Sequence, residues 1–221
     1  MHPLLAGLRQ GLQDLRLELT DGQIGQLLAY VDLIQKWTRV YNLTAVRDPG
    51  EMLTHHLLDS LAVINPLRLQ LQSRSPGADS CRLLDVGSGA GLPGVVVAIC
   101  CPDVVVHCVD TVGKKAAFIQ QVAASIGLGN LRGLHARVES LTDKYDVISA
   151  RAFASLPDLV RWSGNALGEQ GVWLAMKGKH PVDEVAALPA TAQVFHVEPL
   201  SVPGLNAERC IVWIRPVFNL T

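Results

Sequence analysis

Apolar positions change their period near Cys81. Before that point the spacing is helical. Ile24, Leu27, Leu28, Val31 and Ile34 predict an amphipathic helix over residues 20–38. Thr20 and Gln23 stand at the spacing of a capping box at its start. Tyr41-Asn42-Leu43-Thr44 breaks the pattern. A second helix is predicted from Asp48, with Pro49 at its first position, Glu51 in its first turn and Leu53, Leu57 and Leu61 on one stripe. Residues 68–80, with Ser73, Ser75, Pro76 and Gly77, are polar and predict a linker.

Beyond Cys81, short β-branched runs alternate with helical stretches. Strands are predicted over residues 82–86, 104–109, 145–150, 171–176, 193–199 and 209–215. Helices are predicted over 93–100, 113–126, 156–167 and 181–188. Residues 130–135 read as a short strand or a loop. This alternation predicts an α/β fold with a doubly wound, Rossmann-like parallel sheet. Val202-Pro203-Gly204 can turn the chain so that the last two strands pair antiparallel at the sheet edge. The expected organisation is a helical N-terminal extension, residues 1–75, followed by the α/β unit, residues 76–221.

Composition narrows the class. The chain has 221 residues, 49% of them hydrophobic, enough for one large domain with a small extension. No apolar run reaches the roughly 20 residues of a membrane span, and Met1–Gln10 lacks the pattern of a signal peptide. Five cysteines without CxxC spacing predict reduced core thiols in a cytoplasmic protein. A net charge of −1 argues against a protein that grips free nucleic acid along a basic face. An RNA partner would be recognised by shape and local contacts, inside a larger particle.

The most informative stretch is Leu83-Leu84-Asp85-Val86-Gly87-Ser88-Gly89-Ala90-Gly91-Leu92-Pro93-Gly94. A buried strand runs through an acid into glycines and a helix start, which is a nucleotide-binding corner. Gly89, Gly91 and Gly94 form a literal G-x-G-x-x-G, the pattern of dinucleotide binding. Pro93 removes one amide donor that a pyrophosphate would use. Asp85 sets a carboxylate near those phosphates, at a cost of about 1 kcal/mol even when well screened at ~4 Å. S-adenosylmethionine carries no phosphate, and its sulfonium and ammonium groups are cationic, so the same acid favours it. By this argument Asp85→Ala weakens cofactor binding and leaves the fold intact. Asp110 ends the next strand at the spacing of a ribose-binding acid and suits either cofactor class; it also fits a helix N-cap.

These residues closely resemble the ribosomal RNA small subunit methyltransferase G family, also called glucose-inhibited division protein B. Lys36-Trp37, Tyr41-Asn42-Leu43-Thr44, Val46-Arg47-Asp48, His56-Leu57-Leu58-Asp59-Ser60 and the glycine corner carry the resemblance. So do Gly113-Lys114-Lys115, Arg137-Val138-Glu139, the segment Ser149–Leu156 and Met176-Lys177-Gly178. The resemblance implies methyl transfer from S-adenosylmethionine to N7 of a guanine in 16S rRNA, within the small ribosomal subunit or an assembly intermediate. It also implies a monomer in the cytoplasm. It places Gly87, Gly89 and Leu92 at the cofactor's amino-acid end and loop, and Val138 and Glu139 at the adenine. Arg151 becomes a further cofactor-pocket residue, with Asp110 at the ribose. His56 and Asp59 belong to a segment that helps close the mouth of the site.

Guanine N7 has a free lone pair and no proton to remove, so no general base is expected; alignment about 3 Å from the methyl carbon supplies much of the rate. Positioning residues expected from the sequence are Arg151, Phe153 and His56. Arg151 ends a strand, where it can meet a carboxylate or a phosphate or pair with a nearby acid. Phe153 can stack on the target base or serve as core. Lys36, Arg39, Arg47, Lys114, Lys115, Lys177, Lys179 and His180 can converge on a basic rim for RNA backbone. His55, His56 and Asp59 have metal-like spacing but no third ligand at a recognisable distance, so no metal is expected. Two other readings stand beside the methyltransferase: a nicotinamide-dependent dehydrogenase, and a cofactor-binding sensor or RNA-binding module without catalysis.

Overall fold

A computed structural model describes residues 2–72 and 80–217. Ser73, Ser75, Pro76 and Gly77, and with them the expected boundary between residues 75 and 76, lie outside the described residues. The chain opens with α1 (Leu5–Asp14) and α2 (Asp21–Tyr41). Next come α3 (Pro49–Met52), a π-helical turn over Leu53–Leu58, α4 (Asp59–Leu61) and α5 (Ile64–Gln72). The α/β part runs β1 (Arg82–Val86), α6 (Gly94–Cys100), β2 (Val105–Asp110), α7 (Gly113–Ile126), β3 (Leu131–His135) and β4 (Tyr145–Arg151). It ends with α8 (Leu156–Ser163), β5 (Leu167–Lys177), α9 (Val182–Ala186), β6 (Ala192–Pro199) and β7 (Cys210–Pro216). No helix among the described residues is long and apolar enough to cross a membrane.

Local chemistry sets the ends of the key elements. The Thr20 hydroxyl accepts from the Gln23 amide, and the Gln23 side chain accepts from the Thr20 amide, so two orphan donors at the start of α2 are satisfied. Asn42, in the left-handed region at φ 49°, stops the helix and turns the chain into the Leu43–Arg47 loop. The Asp48 carboxylate caps α3 through the Glu51 amide at 2.9 Å. The predicted second helix therefore starts where expected, but it does not stay α-helical: a π turn interrupts it and rotates His56 and Asp59 relative to the leucine stripe. α1 went unread, and α5 extends to Gln72 into the segment expected to be linker.

The sheet has seven strands in the order β3-β2-β1-β4-β5-β7-β6. The first five are parallel. As expected, the last two strands pair antiparallel at the sheet edge; β7 lies between β5 and β6 and is antiparallel to both, which makes β6 the edge strand. With no crossover helix between β6 and β7, a hairpin is the only short connection available.

Strand side chains alternate between two cores. Leu83, Val106, Val147 and Leu174 face one cluster with α6, α7 and the N-terminal helices, while Leu84, Val109, Ile148 and Ala175 face the other with α8. Leu8, Leu27, Ile34, Leu57 and Leu61 of the N-terminal helices belong to the first cluster. The helical extension and the sheet thus share one core.

Candidate functional site

Two cavities of about 480 Å³ each open at the C-terminal ends of the parallel strands, and both are lined by Gly87 and Ala152. Ligands of open α/β sheets bind at this edge, and the size falls within the roughly 300–1,000 Å³ of small-molecule pockets. The first cavity takes Ser88–Ala90 and Leu92 from the glycine corner, Thr44, His56 and Asp59 from the helical part, and Arg151 and Arg209 from the strand ends. The second takes Asp110, Lys115, Val138, Glu139, Phe153 and Trp162.

The corner is open because its residues lack side chains. Gly87 has φ +63°, and a Cβ there would overlap the Phe153 ring. Gly91 has φ +91°, and a Cβ there would strike Ile119 and Val95. The loop is tied from outside by Tyr30 of α2, whose hydroxyl donates to the Ala90 carbonyl at 2.6 Å. Asp110 secures it on the other side, accepting from the Gly89 amide at 3.1 Å and the Val112 amide at 2.9 Å, with the Lys115 ammonium at 3.5 Å. A carboxylate has about four lone-pair sites, so Asp110, on the wall of the second cavity, keeps acceptor capacity for hydroxyls.

Asp85 requires a correction. It was expected beside the cationic cofactor, but it is fully buried and lines neither cavity. Strand parity puts it on the same face as Leu83, under α6. There it accepts from the Gly94 amide at 3.0 Å and from the Ser149 hydroxyl at 2.8 Å. Burial pushes its carboxyl up to about 6, and the bonds to Ser149 and Gly94 pull in the opposite direction. Asp85 therefore fastens the turn to the sheet. It also occupies the amide that a pyrophosphate would take at the start of α6, so the dehydrogenase reading loses its anchor.

Arg151 and Asp59 meet across the first cavity. The Arg151 Nη1 donates to Asp59 Oδ2 at 2.8 Å and to the His55 carbonyl at 2.8 Å. The Arg209 Nε donates to Asp59 Oδ1 at 2.9 Å. One buried carboxylate from the helical part thus holds two guanidinium groups from the sheet. Of the expectations for Arg151, the structure has the pairing with a nearby acid, and the side chain also lines the first cavity. His56 is buried, with Nε2 2.9 Å from the Thr44 hydroxyl and Nδ1 without a partner. Burial, and after it the Arg151 charge, lowers its pKa, so the ring is neutral at pH 7. Ala152, at φ +52°, is a strained non-glycine residue between the cavities.

Phe153 packs edge-on against Trp162 at 5.8 Å, covers Gly87 and walls the second cavity rather than the first. The basic rim does not converge as a whole. Lys177 donates to Glu184 at 2.8 Å and to the Ala154 carbonyl, Lys115 faces Asp110, and Lys114 lies 5.2 Å over the Tyr41 ring. Lys179 and His180 line a separate hollow with Arg209, and Arg39 and Arg47 line another. Among the described residues no cluster of His, Cys, Asp or Glu is arranged to hold a metal ion. Arg209 and Tyr30 escaped the sequence reading. Tyr30 fits the helical period after Leu27 and was detectable as a core position; nothing near Arg209 in sequence signals its partner 150 residues away.

A family model described as rRNA small subunit methyltransferase G matches residues 23–212. A protein of a Polaromonas species named ribosomal RNA small subunit methyltransferase G is 67% identical over 208 residues, covering 94% of this chain and 92% of its own. One of the same name from Albidiferax ferrireducens is 67% identical over 220 residues, covering 97% of this chain and 98% of its own. Among solved structures, a SAM-dependent methyltransferase from Aquifex aeolicus superimposes with a TM-score of 0.53 at 14% identity, over 77% of this chain and 99% of that one. TrmN from Thermus thermophilus gives 0.53 at 18% identity, over 75% of this chain and 53% of that one. These two share the fold.

Proposed function

The chain belongs to the rRNA small subunit methyltransferase G family, and from that membership we propose that it methylates N7 of a guanine in 16S rRNA. The substrate is the small ribosomal subunit or an assembly intermediate, and the enzyme works as a monomer in the cytoplasm. The cofactor is S-adenosyl-L-methionine, which supplies an electrophilic methyl group on a sulfonium. The observation that carries the reading is the pair of cavities joined at Gly87 and Ala152, at the strand ends.

The two cavities divide the work. Val138 and Glu139 receive the adenine and Asp110 the ribose hydroxyls. Gly87, Gly89 and Leu92 leave room for the amino-acid end, and Arg151 faces its carboxylate with the donors that Asp59 and His55 do not use. Asp85 acts indirectly, by holding the turn. The target guanine enters the first cavity beside His56 and Thr44. Because N7 already has its lone pair, the chain has no proton to move there. A His56 ring kept neutral by burial leaves that wall uncharged. The protein aligns the two reactants and excludes water, and this positioning accounts for most of the barrier reduction.

Labelled S-adenosylmethionine incubated with isolated small subunits should place one label per subunit on a guanine N7 of 16S rRNA. Label elsewhere, or none, would overturn the assignment. Calorimetric binding of NADH in place of S-adenosylmethionine would restore the dehydrogenase reading.

A further inference from the structure

A third cavity, of about 260 Å³, lies outside the two described, between the C-terminal turns of α2 and the start of α3. Thr38, Arg39, Arg47 and Gln35 supply its polar lining, and Pro49 and Met52 its apolar floor. Thr38 is 4% exposed, and its hydroxyl has no hydrogen-bond partner. A buried hydroxyl left unpaired costs about 1–3 kcal/mol, so its persistence at a cavity wall points to a ligand. Arg39 and Arg47 are both exposed at the mouth. Arg47 donates to the neutral Asn42 side chain at 3.0 Å, and among the described residues neither arginine is paired with a carboxylate. The Asp48 carboxylate accepts from the Glu51 amide and caps α3.

Two uncompensated guanidinium groups over an unpaired hydroxyl are complementary to one phosphate: Arg forks bind its oxygens and the hydroxyl donates to a third. Position selects the source of that phosphate. The loop that presents Arg47 to this cavity presents Leu43 and Thr44 to the acceptor cavity. The loop therefore stands within reach of a polynucleotide whose target base enters the acceptor cavity. We infer that Arg39, Arg47 and Thr38 form a subsite for a backbone phosphodiester of the RNA substrate, flanking the methylated nucleotide. This inference rests on the proposed function for the identity of the RNA.

The test is equilibrium binding of small ribosomal subunits by the full chain, read apart from catalysis. Arg39→Gln should weaken subunit binding roughly tenfold and lower the slope of log affinity against log salt by about one. Its affinity for S-adenosylmethionine should not change. Arg39→Lys should recover most of the loss. Thr38→Val should raise Tm, because it removes a buried unpaired hydroxyl, and yet weaken subunit binding. That opposition is not expected of a residue whose role is packing alone. Unchanged subunit affinity and salt slope in Arg39→Gln would overturn the subsite. So would a wild-type chain that fails to bind subunits, or inorganic phosphate that competes for Arg39 without weakening subunit binding. Subunit binding that depends on Arg39 but yields no methylated guanine would leave the subsite standing and remove the proposed reaction.

Discussion

Asp85 shows how far one side chain can depart from the role its neighbours in sequence suggest. Its oxygens are spent on the Gly94 amide and the Ser149 hydroxyl, inside the protein. Asp85→Ala should therefore damage the fold, because it strands two buried donors. The group also titrates. Burial raises its pKa from 3.8 to about 6, so the folded chain holds this proton more tightly than the unfolded chain. Its contribution to stability is fully present below about pH 4 and is lost as the pH rises through 6. Asp85→Asn keeps an acceptor for Gly94 and has no charge to bury. Between pH 4 and pH 7 the variant should lose less stability than the wild type, by up to about 3 kcal/mol, in urea titrations at both values. Parallel behaviour of the two proteins would show that the carboxyl is not desolvated as described.

The segment from Pro49 to Leu61 shows the same at the level of an element. Its leucine pattern is helical throughout, but the π turn at Leu53–Leu58 inserts into the ladder and re-aims the residues after it. Asp59 thereby reaches Arg151 and Arg209, and His56 lines the first cavity. Asp59 is 3% exposed, and removing it leaves Arg151 and Arg209 near the cavity without a counter-charge. Breaking such a pair typically costs about 3–5 kcal/mol. The arginines retain some contact with solvent, which puts Asp59→Ala near the lower figure. Denaturation midpoints at fixed pH measure it. A loss below about 1 kcal/mol, the size of an exposed pair, would mean the bridge does not pin the helical part to the sheet.

Across the molecule, the helical part and the sheet bury their apolar residues in a common cluster. Trp37 of α2 lies 5.3 Å from Phe118 of α7, and the Tyr30 hydroxyl reaches the glycine corner. Two pieces that share a core cannot open independently. Amide exchange in α2 and in β1 should report the same opening free energy, and the chain should unfold in one transition. Separate transitions for the two would show that the shared core does not couple the helical part to the sheet.

Period-two and period-3.6 apolar spacing, glycine where φ is positive, and caps such as Thr20 and Asp48 act over a few residues, so they were legible in the sequence. They placed six of the seven strands to within a few residues, left β3 open between strand and loop, and placed α2, α7 and the glycine corner. Motif resemblance added the family. What the chain alone did not reveal depends on partners distant along it. The insertion of β7 between β5 and β6 reflects long-range pairing. The inward turn of Asp85 follows from which face α6 covers, and the joining of Asp59 to Arg209 spans 150 residues. The direction of a buried charge is set by whichever donors the folded chain brings near it, and local spacing carries no information about them.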